Sequence, residues 1–405
     1  MEFKHKQLSN GLNIIGEVNP AAKSAAVGFF VRTGSRDETQ EINGVSHFLE
    51  HMLFKGTDKL NSFEVNEAFD RTGAQFNAFT SEENTVFYAA ILPEYIVEIT
   101  KLWSQLMRPA LRDEDFDIEK NVIKEEIAMY QDMPNFEVVE KCRTLHFDGH
   151  PCGNSVLGSV ESIDKLTANQ MRAYFDSRYA PNNITLACSG NFKWEQICSF
   201  AEEYCGPWTR ADAARELKHY DGSKKKERIG KANITREHIC LISPGVSAQD
   251  PSRFAASLLA MIVGDDVGSR FFWELVDKAL AESASMQFGA MDGTGMFNSY
   301  IQCSSENMAK VLDIVNGIFR DIASSGVTAD ELTKAKNKVL SELVIKNELP
   351  MGRLVDLGFN WIYLKQYFTI EGEIRAIKDV TVDDIQSLIK QLNPGDFTQM
   401  SMGPK

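Results

Sequence analysis

The chain contains no CxxC pair, no apolar run approaching the length of a membrane span and no surplus of basic residues. Its seven cysteines are odd in number and scattered, which speaks against both a disulfide framework and a thiolate zinc site. A reducing, cytoplasmic interior is the expected compartment. The opening MEFKHKQLSNGLNII lacks the apolar core of a signal peptide and the Arg/Ser-rich character of a transit peptide, so no targeting segment is read in it; the alternative is a trimmed terminus. A net charge of −14 argues against nucleic acid as a partner, because phosphate binding needs clustered Lys and Arg.

What is present is enough for two cores: 405 residues exceed the usual size of one. NIIGEV and SAAVGFFVRTG read as strands that end at turn residues. NGVSHFLEHMLFKG reads as a helix with Asn43 as N-cap and Gly56 beyond its end. QFNAFTSEENTVFYAAIL reads as a hairpin turning at Ser81–Asn84, and a long helix from Leu111 is halted by Pro134. Residues 206–230 are polar and without periodicity, which places a linker there. The expected domains are residues 1–210 and 226–405. The second opens like the first: EHICLISPG mirrors AVGFFVRTG, and matching Gly34 to Gly245 sets Leu258, Met261 and Ile262 opposite His47, Glu50 and His51. The second domain is therefore expected to be a diverged repeat without metal ligands. The fold class is α+β, two tandem halves that each pack helices on a mainly antiparallel sheet.

HFLEH, residues 47–51, sets two histidines four apart with a glutamate between them. At about 100° per residue His47, Glu50 and His51 share one face of a helix, while Phe48, Leu49, Met52 and Leu53 take the other and should be buried. Two neutral imidazoles in that geometry can bind zinc and leave the carboxylate to handle protons. The alternative is a solvated helix that merely carries His and Glu.

The helix Asp113–Asp132 offers a third ligand. Phe116, Val122, Ile123, Ile127 and Tyr130 form one apolar stripe, and Glu119 and Glu126 fall inside it, seven residues apart. Glu125 points to the opposite side with Glu114. A carboxylate facing a core costs several kcal/mol unless a cation or donors compensate it. Zinc held by His47 and His51 would do so, as would a buried Lys or Arg. Glu126 is the expected ligand and Glu119 an acceptor behind it that orients a histidine.

HFLEHMLFKGT followed by EKNVIKEE, with 74 residues between His51 and Glu126, resembles the pitrilysin-type inverzincin zinc peptidases. Within that family the likeness is greatest to the β-subunit of mitochondrial processing peptidase and its small bacterial relatives. It extends through LSNGL, GSRDE and NAFTSEENT and weakens in the second half. The resemblance implies a zinc endopeptidase with His47, His51 and Glu126 on one Zn2+ per chain, Glu50 as the catalytic base and Glu119 as a further catalytic-site carboxylate. It also implies that Asn77 and Ala78 lie on an edge strand that pairs with a peptide substrate; read alone, Asn77 is a turn or bulge residue. Two such halves would enclose a cavity, closed by a homodimer or by a heterodimer with a homologous chain. Family members usually carry an arginine and, seven residues later, a tyrosine in the second half; WELVDKALAES has Val276 and Ser283 there. That departure raises one alternative, the catalytic half of an obligate hetero-oligomer. The resemblance itself raises another, a non-catalytic scaffold of the same fold, against which the intact His47, Glu50, His51 and Glu126 argue. His146 and His150 in HFDGHPCG are expected in a loop, because Gly149 and Pro151 break the helix that would align them. Met286, Met291 and Met296 are expected as core filler.

Overall fold

The computed structural model describes residues 1–218 and 220–405. Six strands form the first sheet: β1 (Glu2–Gln7), β2 (Asn13–Val18), β3 (Ala25–Val31), β4 (Gln75–Thr80), β5 (Thr85–Ile91) and β6 (Ile184–Gly190). Their order is β1-β2-β6-β3-β5-β4, antiparallel except for the β2–β6 pair, so β4 is an edge. β3 is buried along its whole length, as its unbroken AAVGFFV run requires of a central strand. Five strands form the second sheet: β7 (Lys226–Lys231), β8 (Glu237–Gly245), β9 (Ser283–Ala290), β10 (Gly295–Cys303) and β11 (Thr398–Pro404). The order is β7-β11-β8-β10-β9, with β7–β11 the parallel pair. The architecture is α+β in two halves, as expected. The β4–β5 hairpin turns at Ser81–Asn84, and β9–β10 is its counterpart in the second half.

The compact units are not contiguous stretches of chain. One comprises Met1–Ile127, Asn154–Glu216 and Ile345–Phe368; the other comprises Ala128–Gly153, Leu217–Val344 and Thr369–Lys405. Each half of the sequence thus gives one helix to the other unit's sheet. Helix Pro350–Leu364 packs Leu354, Leu357 and Trp361 onto Ile15, Ala26, Phe30 and Ala187 of the first sheet. Gly358 makes that approach possible, since a Cβ there would lie 2.3 Å from the Phe30 ring. Helix Pro134–His146 packs Val138 and Cys142 against Cys240, Ile242, Met400 and Met402 of the second sheet. Pro134 therefore both stops one helix and begins the next, at a first-turn position where its missing N–H costs nothing.

Two local expectations are corrected. Residues 226–230 of the expected linker form β7, and earlier in it the Arg215 side chain is buried and bonds Asp37 at 2.6 Å. His146 is not in a loop. It is the last residue of the Pro134–His146 helix, 1% exposed, with Nδ1 3.1 Å from Thr398 Oγ1. His150 is buried in the turn that follows. Met286 and Met291 are buried, and Met296 packs against the cluster that holds Met291, as expected of core filler. Among the described residues no helix is long and apolar enough to cross a membrane.

Candidate active site

Helix Val45–Leu53 buries Phe48, Leu49, Met52 and Leu53 completely or nearly so, which turns His47, Glu50 and His51 to the other side. Phe48 stacks on Phe116 of helix Asp113–Gln131 with ring centroids 4.7 Å apart, locking the two helices together. In the second helix Phe116, Glu119, Ile123 and Ile127 are buried, Tyr130 is half-buried and Glu125 is exposed. Val122, expected in the stripe, is 46% exposed: at 100° per residue it lies at the margin, and the neighbouring helix does not reach it.

The N-terminus of the His47 helix also differs from expectation. Its N-cap is Gly44 at φ +95°, where a side chain would be strained and would meet the Leu157 carbonyl at 2.7 Å. Asn43 does not accept from the helix. Its amide donates to Glu38, whose carboxylate accepts the N–H groups of Gly44 and Ser46, both at 2.7 Å. Burial pushes the Glu38 carboxyl up to about 7 despite those donors.

Two helices thereby bring His47, His51 and Glu126 together. His47 Nε2 and His51 Nε2 lie 3.7 and 3.5 Å from Glu126 Oε2, and a ligand atom of each residue falls within 4.8 Å of the others. Ligand atoms at 2.0–2.1 Å from a tetrahedral zinc stand about 3.3 Å apart, so the donor set fits zinc with one position left open. The electrostatics also suit a metal. Burial, then the charge of His51, pushes His47 down to about 3, so its imidazole is in the neutral, ligating form. Burial opposes the His51 cation, but the hydrogen bond it donates to Glu119 and the charges of Glu126, Glu119 and Glu50 outweigh it and raise that group. Glu119 Oε1 sits 2.8 Å from His51 Nδ1, and its other oxygen meets Lys55 Nζ at 2.5 Å. Burial alone would raise Glu119; the bonds to His51 and Lys55 reverse that and lower it. Both partners foreseen for a buried carboxylate here, a histidine at the site and a lysine, are thus in place. The second histidine differs, for His47 Nδ1 is buried with no hydrogen-bond partner among the described residues.

Glu50 stands beside this trio and is held by Thr80, the last residue of β4, whose hydroxyl donates to Oε2 at 2.6 Å. Burial raises its carboxyl against the Thr80 bond and the charge of His51. On β4 the Asn77 side chain is exposed and accepts the Ala78 N–H at 2.9 Å, while the Ala78 side chain is buried. Sequence reasoning missed Glu38, Thr80 and Lys55. The signal for Lys55 was its place four residues after His51; Glu38 and Thr80 lay in GSRDE and NAFTSEENT with no role attached. In the second half, Leu258 and Ile262 on helix Arg253–Gly264 are buried in the apolar core and Met261 packs against it. Val276 ends a short π-helical turn against the same core, and Ser283 is the exposed first residue of β9.

Residues 13–160 match the family model described as "Insulinase (Peptidase family M16)", and residues 165–339 match that of the "Peptidase M16 inactive domain". An uncharacterized zinc protease of Bacillus subtilis is 28% identical over 99% of this chain and 98% of its own length. One from Streptomyces coelicolor is 29% identical, covering 95% of this chain and 86% of its own. The crystal structure of a protease from Helicobacter pylori superposes over the whole of both chains with a TM-score of 0.92 at 19% identity, a likeness of fold. The inactive-domain model falls on the half in which leucine, methionine and isoleucine stand where the first half has its histidines and glutamate. With models of the family matching residues 13–160 and 165–339, the chain belongs to peptidase family M16.

Proposed function

We propose that the protein is a zinc-dependent endopeptidase acting on peptides or unfolded segments, with Glu50 as its base. The observation that carries this reading is the convergence of His47, His51 and Glu126 beside a glutamate that is not one of the three. When bound, zinc polarises the scissile carbonyl and brings the pKa of a water near ~7. Glu50 takes the proton of the attacking water and passes it to the leaving amine. Its burial favours that role by moving its carboxyl toward working pH. Thr80 fixes one Glu50 oxygen and leaves the other for the proton. The open edge of β4 at Asn77 and Ala78 pairs with the peptide backbone irrespective of sequence. The enclosed chamber implied by the family resemblance would restrict substrates to flexible chains. The seven buried thiols suit the cytoplasm.

Val276 and Ser283 favour a second reading, in which a homologous chain with the missing arginine and tyrosine completes the site. One experiment tests both. The purified chain is incubated with a peptide mixture, with and without chelator, and cleavage is followed by mass spectrometry. Chelator-sensitive cleavage that disappears in Glu50→Gln, with about one zinc per chain retained, is the expected result. Cleavage that appears only when such a partner is added selects the hetero-oligomer. Zinc without turnover in either case selects a scaffold, and loss of metal from Glu50→Gln overturns the assignment of the base.

A further inference from the structure

GSRDE, residues 34–38, has no part in the reaction as described, yet it touches both things that hold Glu50. Its last member, Glu38, is 6% exposed and caps the His47 helix from outside the helix's own sequence. Its first members are fastened to the turn of the β4–β5 hairpin. Ser35 N–H donates to the Ser81 carbonyl at 3.3 Å and Arg36 N–H to that of Glu82 at 2.8 Å. A Cβ on Gly34 would lie 2.2 Å from the Ser81 oxygen, so only glycine permits this approach. The buried Arg36 guanidinium bonds Glu83 at 2.6 Å, and Asp37 is held by Arg178 and Arg215 at 2.7 and 2.6 Å. That hairpin carries Thr80, which holds Glu50. Helix start, loop, hairpin turn, Thr80 and Glu50 therefore form a closed circuit.

Capping for stability does not call for this device. A Ser or Asn at the N-cap itself would accept the Ser46 N–H from within the helix's own sequence, without burying a carboxylate. The second half supplies the comparison within one molecule. By the match of Gly34 to Gly245, Glu38 falls on Gln249, which bonds Asp292 and Gly293 of the β9–β10 turn. The helix that follows, Arg253–Gly264, has a carboxylate at its start too, but a local one: Asp250, two residues before the N-cap Ser252, accepts the Ser252 N–H at 2.8 Å. The fold makes this helix with a carboxylate taken from beside it; only the half with the histidines takes its carboxylate from the loop fastened to the hairpin turn.

We infer that Glu38 is a positioning residue: by capping the His47 helix from a loop bolted to the β4–β5 turn, it fixes where His47 and Glu50 stand relative to β4. The inference rests on the peptidase reading, and its test separates the two. Glu38→Gln keeps the size of the side chain and puts a donor where Gly44 or Ser46 also donates. The full-length variant is compared with the parent by thermal melting, by the visible spectrum after cobalt substitution, and by kcat and KM on a peptide the parent cleaves. The expected result is a folded chain that binds cobalt with an altered spectrum, and whose kcat falls at least ~10-fold per metal-loaded site with KM within about twofold. A lower melting temperature with unchanged spectrum and kcat would make Glu38 a structural cap and overturn the inference. If the parent cleaves nothing, the spectrum alone decides; if the parent binds no cobalt, the metal reading fails and the inference with it. Should Glu38→Gln not fold, Asn43→Ala removes one donor to the same carboxylate. A kcat lowered about threefold with a shifted spectrum is then expected, and parental values for both overturn the proposal.

Discussion

Replacing Glu119 by Gln tests how the site is tuned, because Glu119 touches a proposed ligand without being one. Its carboxylate is 4% exposed and divided between His51 Nδ1 at 2.8 Å and Lys55 Nζ at 2.5 Å. Gln is nearly isosteric and can still accept from Nδ1, so the ring orientation survives. What goes is the negative charge that makes His51 more basic and that balances Lys55. Loss of such a carboxylate behind a ligating histidine typically lowers metal affinity 10–100-fold, about 1.4–2.8 kcal/mol. Breaking the buried contact to Lys55 adds a loss of about 1–3 kcal/mol in the stability of the metal-free chain. Competition against a fluorescent zinc chelator gives the first quantity, and urea unfolding in excess chelator gives the second. Zinc affinity within threefold of the parent would refute the tuning role. A loss as complete as that of Glu126→Gln would mean that Glu119 itself is a ligand.

Two further outcomes are expected. Glu126→Gln should lose zinc severely while Glu125→Gln stays within about twofold of the parent in zinc affinity and turnover, since Glu125 is exposed; equal effects by the same chelator competition would contradict the helix register. Burial lowers His146 from 6.5 to about 4, so its neutral form is the folded one: stability is complete above about 6.5 and is lost as pH falls toward 4, by up to about 3 kcal/mol. His146→Gln should flatten that acid-side loss between pH 7.5 and 4.5 in urea unfolding with chelator present, and an unchanged loss would refute it.

What was legible in the sequence is what short-range periodicity encodes. The shared face of His47, Glu50 and His51 follows from 3.6 residues per turn, and so does the place of Glu119 and Glu126 among buried Phe116, Ile123 and Ile127. The hairpin was legible because four polar residues separate two alternating runs. Partnerships across the chain were not. Nothing in the sequence near Asn43 says that the cap will be Glu38 through a bond that skips the local candidate. Nothing around Arg215 marks it as the partner of Asp37, 178 residues away. The exchange of helices Pro134–His146 and Pro350–Leu364 between units is likewise invisible to periodicity, which says that a face is apolar but not which sheet covers it. His146 illustrates the limit: Gly149 and Pro151 do break the helix, but only after it has carried His146 into the core.

The two halves together separate what the fold requires from what the chemistry requires. Gly34 and Gly245 correspond, and both are needed, because a Cβ on Gly245 would lie 2.7 Å from the Met296 nitrogen much as one on Gly34 would strike Ser81. The same match carries through the hairpins without a gap, β4 onto β9 and β5 onto β10. Along that frame His47, Glu50 and His51 meet Leu258, Met261 and Ile262, while Thr80 meets Met291 and Glu38 meets Gln249. The close backbone approach is kept in both halves, while the histidines and Thr80 around Glu50 are kept in one. Had those groups served stability, the second half would need substitutes of similar polarity; instead Leu258, Ile262 and Met291 are simply buried. A buried carboxylate or imidazole costs more than the apolar residue that can replace it. Its retention on one side only is therefore best explained by the reaction proposed for that side, and the argument covers Thr80 on the same terms as the histidines.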